Sequence, residues 1–534
     1  MVTARAGRAP VSAWAPFASP VFRALWLAQF VSNLGTWMQT VGAQWMLVGD
    51  PRADVLVPLV QTATTLPVML LALPSGVLAD LVDRRRLLIA AQGATASGVA
   101  LLAALTGTGL ATPSVLLLLL FLIGCGQALT APAWQAIQPE LVPREQIPAA
   151  AGLTSMSING ARSIGPAIAG VLVSLSGPTL VFALNAVSFV GIVAVLMTWR
   201  RPSSEQQMPS ERPLAALNAG GRYIRSSPVI RRILLRAVLF IAPGSALWGL
   251  LPVIANRQLN LSSSGYGLML AALGVGAVSG AVVLSRLQAV FGQNALLTAA
   301  AVGFAGATAV LATVPVFAVV LVALVIGGVS WLTALSTLNS SMQLSLPAWV
   351  RARGLSVYQL VFMGGQAIGS LVWGVVAGAT TAVTALLVSA AMLLLCAVSV
   401  LWWPLHPRTG DLDVTPSAHW PEPALVFEPA PPDGPVVVLK SYCVAPEDEA
   451  GFLAAMQRVG RSRQRTGASQ WQLFRSGEEA GTFVEAFVVR SWDEHLRQHV
   501  TRQTGQDLIA EQEVEKFVQG EPTLRHLIAV HPDR

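Results

Sequence analysis

The stretch "NGARSIGPAIAG", residues 159–170, returns in altered form 204 residues later as "MGGQAIGSLVWG", residues 363–374. Gly160, Ile164, Gly165 and Gly170 fall on Gly364, Ile368, Gly369 and Gly374, and Gly76 falls on Gly280 by the same shift. Each copy lies in an apolar run of the length, about 20 residues, that crosses a bilayer core as a helix. A repeat that relates two sets of spans is the organisation of transporters whose halves rock about a central site. Within the shared pattern Arg162 stands opposite Gln366, and Pro166 stands opposite Ser370. Both departures are costly in a membrane helix: one is a charge in hydrocarbon, the other removes a backbone donor.

The rest of the chain agrees with a membrane reading. Of 534 residues, 54% are hydrophobic and 11% charged, whereas soluble domains carry about 25% charged residues. Twelve apolar runs are visible, roughly at 22–48, 55–79, 87–107, 113–136, 149–175, 178–199, 233–255, 265–287, 294–313, 315–340, 354–376 and 379–403. Turns as short as "SGP" leave only antiparallel neighbours, and backbone self-satisfaction in lipid makes the spans helices. Residues 1–403 hold 21 Arg, no Lys and 8 acids, and 18 of those arginines fall in the even-numbered turns or at the two ends. By the positive-inside rule both termini are cytoplasmic. The same rule accounts for the basic excess, so nucleic acid is not an expected partner. Cys125, Cys396 and Cys443 are too scattered for a disulfide framework or a metal site, and no cleavable signal peptide is read at the N-terminus.

Charge reverses after residue 403: the remainder has 13 basic and 19 acidic residues. The expected domains are therefore a six-helix half at 1–200, a central cytoplasmic loop at 201–232, a second half at 233–403, a Pro-rich linker at 404–435 and a cytoplasmic domain at 436–534.

Residues 76–86, "GVLADLVDRRR", place Gly76, Asp80, Asp83, Arg84 and Arg85 at a span end. Topology alone explains the arginines; the spacing of the acids also suits a latch between halves. The pattern resembles the loop 2–3 signature of the major facilitator superfamily, which implies the twelve-helix fold and a conformational latch at those residues. "NLGTWMQTVGAQWML", "ALTAPAWQAIQPELVPREQIPAAAGL" and "GPAIAG" are similar to the drug- and siderophore-exporting branch that contains the enterobactin exporter and the macrolide efflux proteins. In that branch Gly165, Pro166 and Gly170 match an antiporter motif of span 5, with Ala169 replacing a second glycine.

Arg162 lies about 15–21 Å into span 5 at 1.5 Å per residue, too deep to reach the interface easily. It either holds the bundle through carbonyls and polar groups or presents charge to an anionic, acceptor-rich cargo. Asn33, Trp37, Gln127, Trp248, Trp331 and Gln366 are further cavity candidates, each with helix packing as the plainer account. No acid lies at mid-depth; Asp50, at the outer end of span 1, is the coupling candidate.

In the tail, "VVVLKSYCV", "SQWQLFRS", "TFVEAFVVR" and "LRHLIAV" read as strands and the intervening segments as helices, a βαββαβ order of ferredoxin-like type. The order resembles the dimeric domains of antibiotic-biosynthesis monooxygenases, which implies a homodimer through the tails. His495 and His499 have metal-ligand spacing on a predicted helix, but no third ligand is evident and no metal or cofactor is assigned. The function expected is export of an amphipathic small molecule, a drug or siderophore, by alternating access and secondary antiport. An uptake permease of the same fold and a membrane-anchored monooxygenase are the alternatives; the first reading involves no enzyme activity.

Overall fold

The computed structural model describes residues 12, 14–199, 213–405, 413–417, 420 and 425–530. The helices are α1 (Pro20–Leu47), α2 (Ala53–Leu81), α3 (Arg84–Gly107), α4 (Pro113–Leu141), α5 (Ile147–Thr198), α6 (Pro213–Ser226), α7 (Pro228–Arg257), α8 (Ser263–Val290), α9 (Gln293–Thr313), α10 (Phe317–Leu344), α11 (Ala348–Ala379) and α12 (Ala382–Val398). Their starts follow capping chemistry: Ser19, Asp83, Thr112 and Thr381 each accept a bond from a backbone N–H in the first turn, which satisfies a donor the helix itself cannot.

Ten helical stretches among the described residues are long and apolar enough to cross a membrane. One of them, 149–198, is interrupted at Gly177, whose φ of 71° lies in the left-handed region. With Pro178 next, this is the glycine-stop, proline-start arrangement of two helices, so α5 contains the fifth and sixth expected spans. The first expected span is α1, which falls outside the ten. Gln29, Asn33, Gln39 and Gln44 dilute its apolar character, and its polar groups are turned inward: Gln39 and Gln44 are buried.

Two compact units result. The first comprises residues 1–206, 236–337 and 359–402; the second comprises 207–235, 338–358 and 403–534. In the first unit, Arg236 is 2% exposed. Its Nη1 donates to the Cys396 carbonyl at 3.0 Å and to Ser399 Oγ at 2.6 Å. A cation on the last carbonyls of α12 opposes the negative end of that helix's dipole.

The second unit contains the tail: β1 (Val436–Cys443), α13 (Glu449–Thr466), β2 (Gln470–Arg475), β3 (Thr482–Val489), α14 (Trp492–Arg497), α15 (Gly505–Glu515) and β4 (Thr523–Ile528). The sheet runs β2-β3-β1-β4, antiparallel throughout. This is the ferredoxin-like arrangement expected from the strand order. Alternation along β3 buries Phe483, Glu485, Phe487 and Val489, three of them core groups and one a charge.

Two segments read as connections have structure. The central segment 201–232 carries α6 and the start of α7. Helix α6 meets the tail within the second unit, where Arg222 Nη2 lies 2.5 Å from Glu494 Oε1 and the Arg465 guanidinium stands 5.9 Å from the Tyr223 ring. In the linker, Pro416 bridges Thr504 and the Trp420 indole donates to Glu511. The Trp420 ring covers the buried Arg463 guanidinium at 4.6 Å, which explains why this part of a Pro-rich segment is held.

Candidate functional site

The turns 48–52 and 258–262 lie at what we term the distal end of the bundle. Near that end the two halves interlock through small residues. A Cβ at Gly170 would lie 2.7 Å from the Ser263 carbonyl oxygen and 3.0 Å from Gly267 Cα, and one at Gly274 would lie 2.7 Å from Ser163 Cα. Such spacing brings α5 and α8 into backbone contact, as small residues do between membrane helices. The second copy of the repeat does the same work: a Cβ at Gly374 would lie 3.2 Å from Pro58 Cβ, so α11 closes on α2. Polar groups complete the seam. Tyr266 OH donates to Gln44 Oε1 at 2.5 Å, Gln61 Nε2 to Gln366 Oε1 at 2.9 Å, and Thr62 Oγ1 to the Ala367 carbonyl at 2.9 Å. At the rim Arg257 Nη1 pairs with Asp54 Oδ2 at 2.6 Å, and its Nη2 donates to the Asp50 carbonyl.

Below this seam is a cavity of about 10 Å³ bounded by both halves and lined by Trp37, Arg162, Pro166, Trp248, Gly274 and Trp331 among others. That volume accommodates about one water. Arg162 is half-buried, and its guanidinium stands 5.4 Å from the Trp37 ring centre. A cation–π contact leaves its N–H donors available, and Nε is buried with no partner among the described residues. No acid occurs from 213 to 410, and those of the first half lie at or beyond span ends, so the charge has no carboxylate to neutralise it at this depth. Trp248 and Trp331 pack edge-on at 5.7 Å, and the Trp248 indole N–H is buried without a partner among the described residues.

The structure thus gathers Arg162, Trp37, Trp248 and Trp331 in one place, and Pro166 with them. Gly165 faces α1, where a Cβ would lie 2.9 Å from Trp37 Cβ. Asn33 is placed one turn from Trp37; it donates to Ser157 Oγ and accepts from Gln29, so it ties α1 to α5. Gln366 joins the seam, and Gln127 is half-buried on α4 without lining this cavity. Asp50 caps the distal turn by accepting from the Arg52 N–H at 2.7 Å.

At the 76–86 segment, Asp83 accepts from the Arg86 N–H as the cap of α3, and Arg85 donates to the carbonyls of Leu196 and Met197 at the end of α5. Arg84 is the first residue of α3. Gly76 and Asp80 fall in the last turns of α2, where side-chain surroundings lie outside the described set.

Sequence reasoning missed three features: the Asp54–Arg257 pair, the buried Arg236, and His526 on β4. The last joins His495 and His499 within 4.8 Å. The signal for the first was weak but present, since Asp54 and Arg257 are opposite charges at the outer ends of the second and seventh spans.

A family profile described as transmembrane secretion effector matches residues 11–533. The enterobactin exporter EntS of Citrobacter koseri is 29% identical over 364 residues, 66% of this chain and 85% of that protein. The staphyloferrin A transporter of Staphylococcus aureus is 27% identical over 50% of this chain and 67% of its own length. Among solved structures, a bacterial homologue of the human lysosomal transporter Spinster, inward-facing and occupied, superposes with a TM-score of 0.60 at 15% identity, covering 74% of this chain and 98% of that one. The nucleoside transporter NupG gives 0.55 at 16% identity, covering 72% and 98%. These two likenesses concern the fold.

Proposed function

Because the chain belongs to the transmembrane secretion effector family, a multi-pass transporter branch of the major facilitator superfamily, we propose that it exports a siderophore-like small molecule across a bacterial inner membrane. The observation that carries this reading is Arg162: an uncompensated cation at mid-depth, in a cavity walled by three tryptophans from both halves. Such a wall suits a cargo with aromatic or apolar surface and clustered anionic oxygens. Relatives named for enterobactin and staphyloferrin A point to the same cargo class.

Transport proceeds by alternating access. The halves in contact near the distal end suit a state closed toward that side, with the cavity at its base too small for cargo until the halves rock apart. Both chain ends face the cytoplasm, as the arginine distribution implies, and the tails associate two chains. Antiport drives the cycle, with Asp50 the carboxylate nearest the outer surface of span 1.

The test uses inside-out vesicles containing the full chain and a catecholate or hydroxycarboxylate chelator as cargo. Losing a charged hydrogen bond costs about 1.5–3 kcal/mol, so Arg162→Gln should lower uptake at sub-saturating cargo by about 10-fold or more. Arg162→Lys should retain part of it, and both variants should insert and elute as the wild type. Wild-type uptake by Arg162→Gln would remove the charge-dependent role, and accumulation only in right-side-out vesicles would reverse the direction.

A further inference from the structure

All six histidines of the chain lie beyond residue 403. Three of them, His495 and His499 from the α14 region and His526 from β4, bring ring nitrogens within 4.8 Å of one another. His495 Nε2 and His499 Nε2 face each other at 3.2 Å, and the His526 ring centre is 5.0 Å from that of His495.

The protonation pattern follows from the neighbours. The Gln498 Nε2 donates to Thr466 Oγ1 at 3.2 Å, which turns its Oε1 toward His495 Nδ1 at 3.3 Å. An amide oxygen only accepts, so the proton of His495 sits on Nδ1 and the Nε2 lone pair points into the cluster. His526 Nε2 is buried with no hydrogen-bond partner among the described residues. An acceptor behind the ring that fixes the tautomer of a converging imidazole is the habit of metal-ligating histidines.

Charge and space also suit a cation. Arg463 is buried between Glu485 at 3.0 Å and Glu511 at 2.5 Å, so this neighbouring network carries one net negative charge. The Trp420 ring separates Arg463 from His499, at 4.6 and 4.8 Å respectively. Beside the three rings lies a cavity of about 280 Å³, also lined by Lys440 and Leu524.

We propose that His495, His499 and His526 form a three-imidazole site for a borderline divalent transition-metal ion, with a fourth position open to that cavity for water or an anionic donor of a small molecule. An all-imidazole set selects Zn²⁺, Ni²⁺, Cu²⁺ or Fe²⁺ over Mg²⁺ and Ca²⁺, and three ligands with one open position is the pattern of reactive rather than purely structural zinc sites. This inference is independent of the transport reading.

The test uses untagged full-length protein in detergent, stripped with chelator and titrated with Co²⁺ and, by competition, Zn²⁺. One equivalent should bind and produce the intense visible bands of four-coordinate Co²⁺. His495→Ala and His526→Gln should abolish the bands and weaken Zn²⁺ at least about 100-fold, and Gln498→Ala should weaken it about 10- to 100-fold. His526 is on an edge strand and half-buried, so its variant keeps the test valid where His495→Ala unfolds. A triple Ala variant of His406, His419 and His531 should bind as the wild type. The site is refuted by binding well below one equivalent, or by affinity unchanged in folded His526→Gln.

Discussion

Gly170 offers a direct test of whether the α5–α8 seam opens and closes during transport. A Cβ there would stand 2.7 Å from the Ser263 carbonyl oxygen and 3.0 Å from Gly267 Cα. Both are backbone atoms, and no rotamer change can relieve them. Restoring ordinary contact at about 3.4 Å or more requires α8 to retreat by roughly 0.7 Å along a tightly packed seam, and overpacking of this kind costs about 1–3 kcal/mol. If the seam exists in only one of two access states, the whole cost falls on that state. The equilibrium then moves about 5- to 150-fold toward the open seam. The assay is cross-linking by a short bifunctional thiol reagent between cysteines placed at Asp54 and Arg257, whose ion pair spans the distal rim, in a background without the three native cysteines. Gly170→Ala should slow this cross-link at least about 5-fold. Gly152→Ala, with no atom within 4 Å of the added carbon, should leave it unchanged. Wild-type cross-linking and transport in a correctly inserted Gly170→Ala protein would show that the seam is static, or that α8 yields at little cost.

Two further outcomes follow from buried charges. Arg236→Met removes both hydrogen bonds from Nη1 to the end of α12 and should lower the thermal midpoint of the detergent-solubilised protein, at a cost of about 1–3 kcal/mol, while Arg232→Met, at an exposed position one turn earlier, should not. In the tail, burial alone would raise the Asp507 carboxyl, but the Arg465 guanidinium and hydrogen bonds from Ser462 and Thr504 hold it below the usual carboxylate range. A depressed carboxylate stabilises the fold above its unfolded value and loses that contribution as pH falls through the folded one. Tail fluorescence should therefore report progressive destabilisation below about pH 4, and Asp507→Asn should be destabilised at neutral pH and lose less on acidification.

What could be read from the chain was local. Apolar runs and two-residue alternation are properties of neighbours in sequence, so the spans, the break at Gly177 and all four tail strands were legible. Arg236 was grouped with loop arginines because it lies near a span end; only the return of α12, about 160 residues later, supplies its acceptors. Trp199, at a span end where a tryptophan ordinarily anchors at the interface, is instead 6% exposed in a cluster with Phe22, Leu88 and Ile192. His526 escaped because metal-ligand spacing rules act along one helix, and this residue arrives on a strand from the far side of α15. Trp420 was hidden by the prolines and acids around it, since composition describes a segment's average and not the one ring that docks.

The repeat with which the chain announces itself separates packing from function at the level of atoms. Gly165 and Gly369 admit the helix next to them in their own half, α1 and α7, and Gly170 and Gly374 admit the opposite half, through α8 and α2. These duties match across the pseudo-symmetry, and they need only an absent side chain. The two unmatched positions act on one place. In an α-helix the N–H of residue 166 would bond the carbonyl of residue 162; Pro166 has no N–H, so the Arg162 carbonyl loses its helical donor. Ser370 retains that N–H, and Gln366 spends its side-chain oxygen on Gln61 across the seam. One half therefore uses the shared position to tie the halves together. The other leaves a cation with available donors at the cavity wall, on a residue whose carbonyl has lost its helical donor to Pro166. A cargo with acceptor oxygens would find donors at this one residue of α5, and the tryptophans around it would cover the cargo's apolar faces.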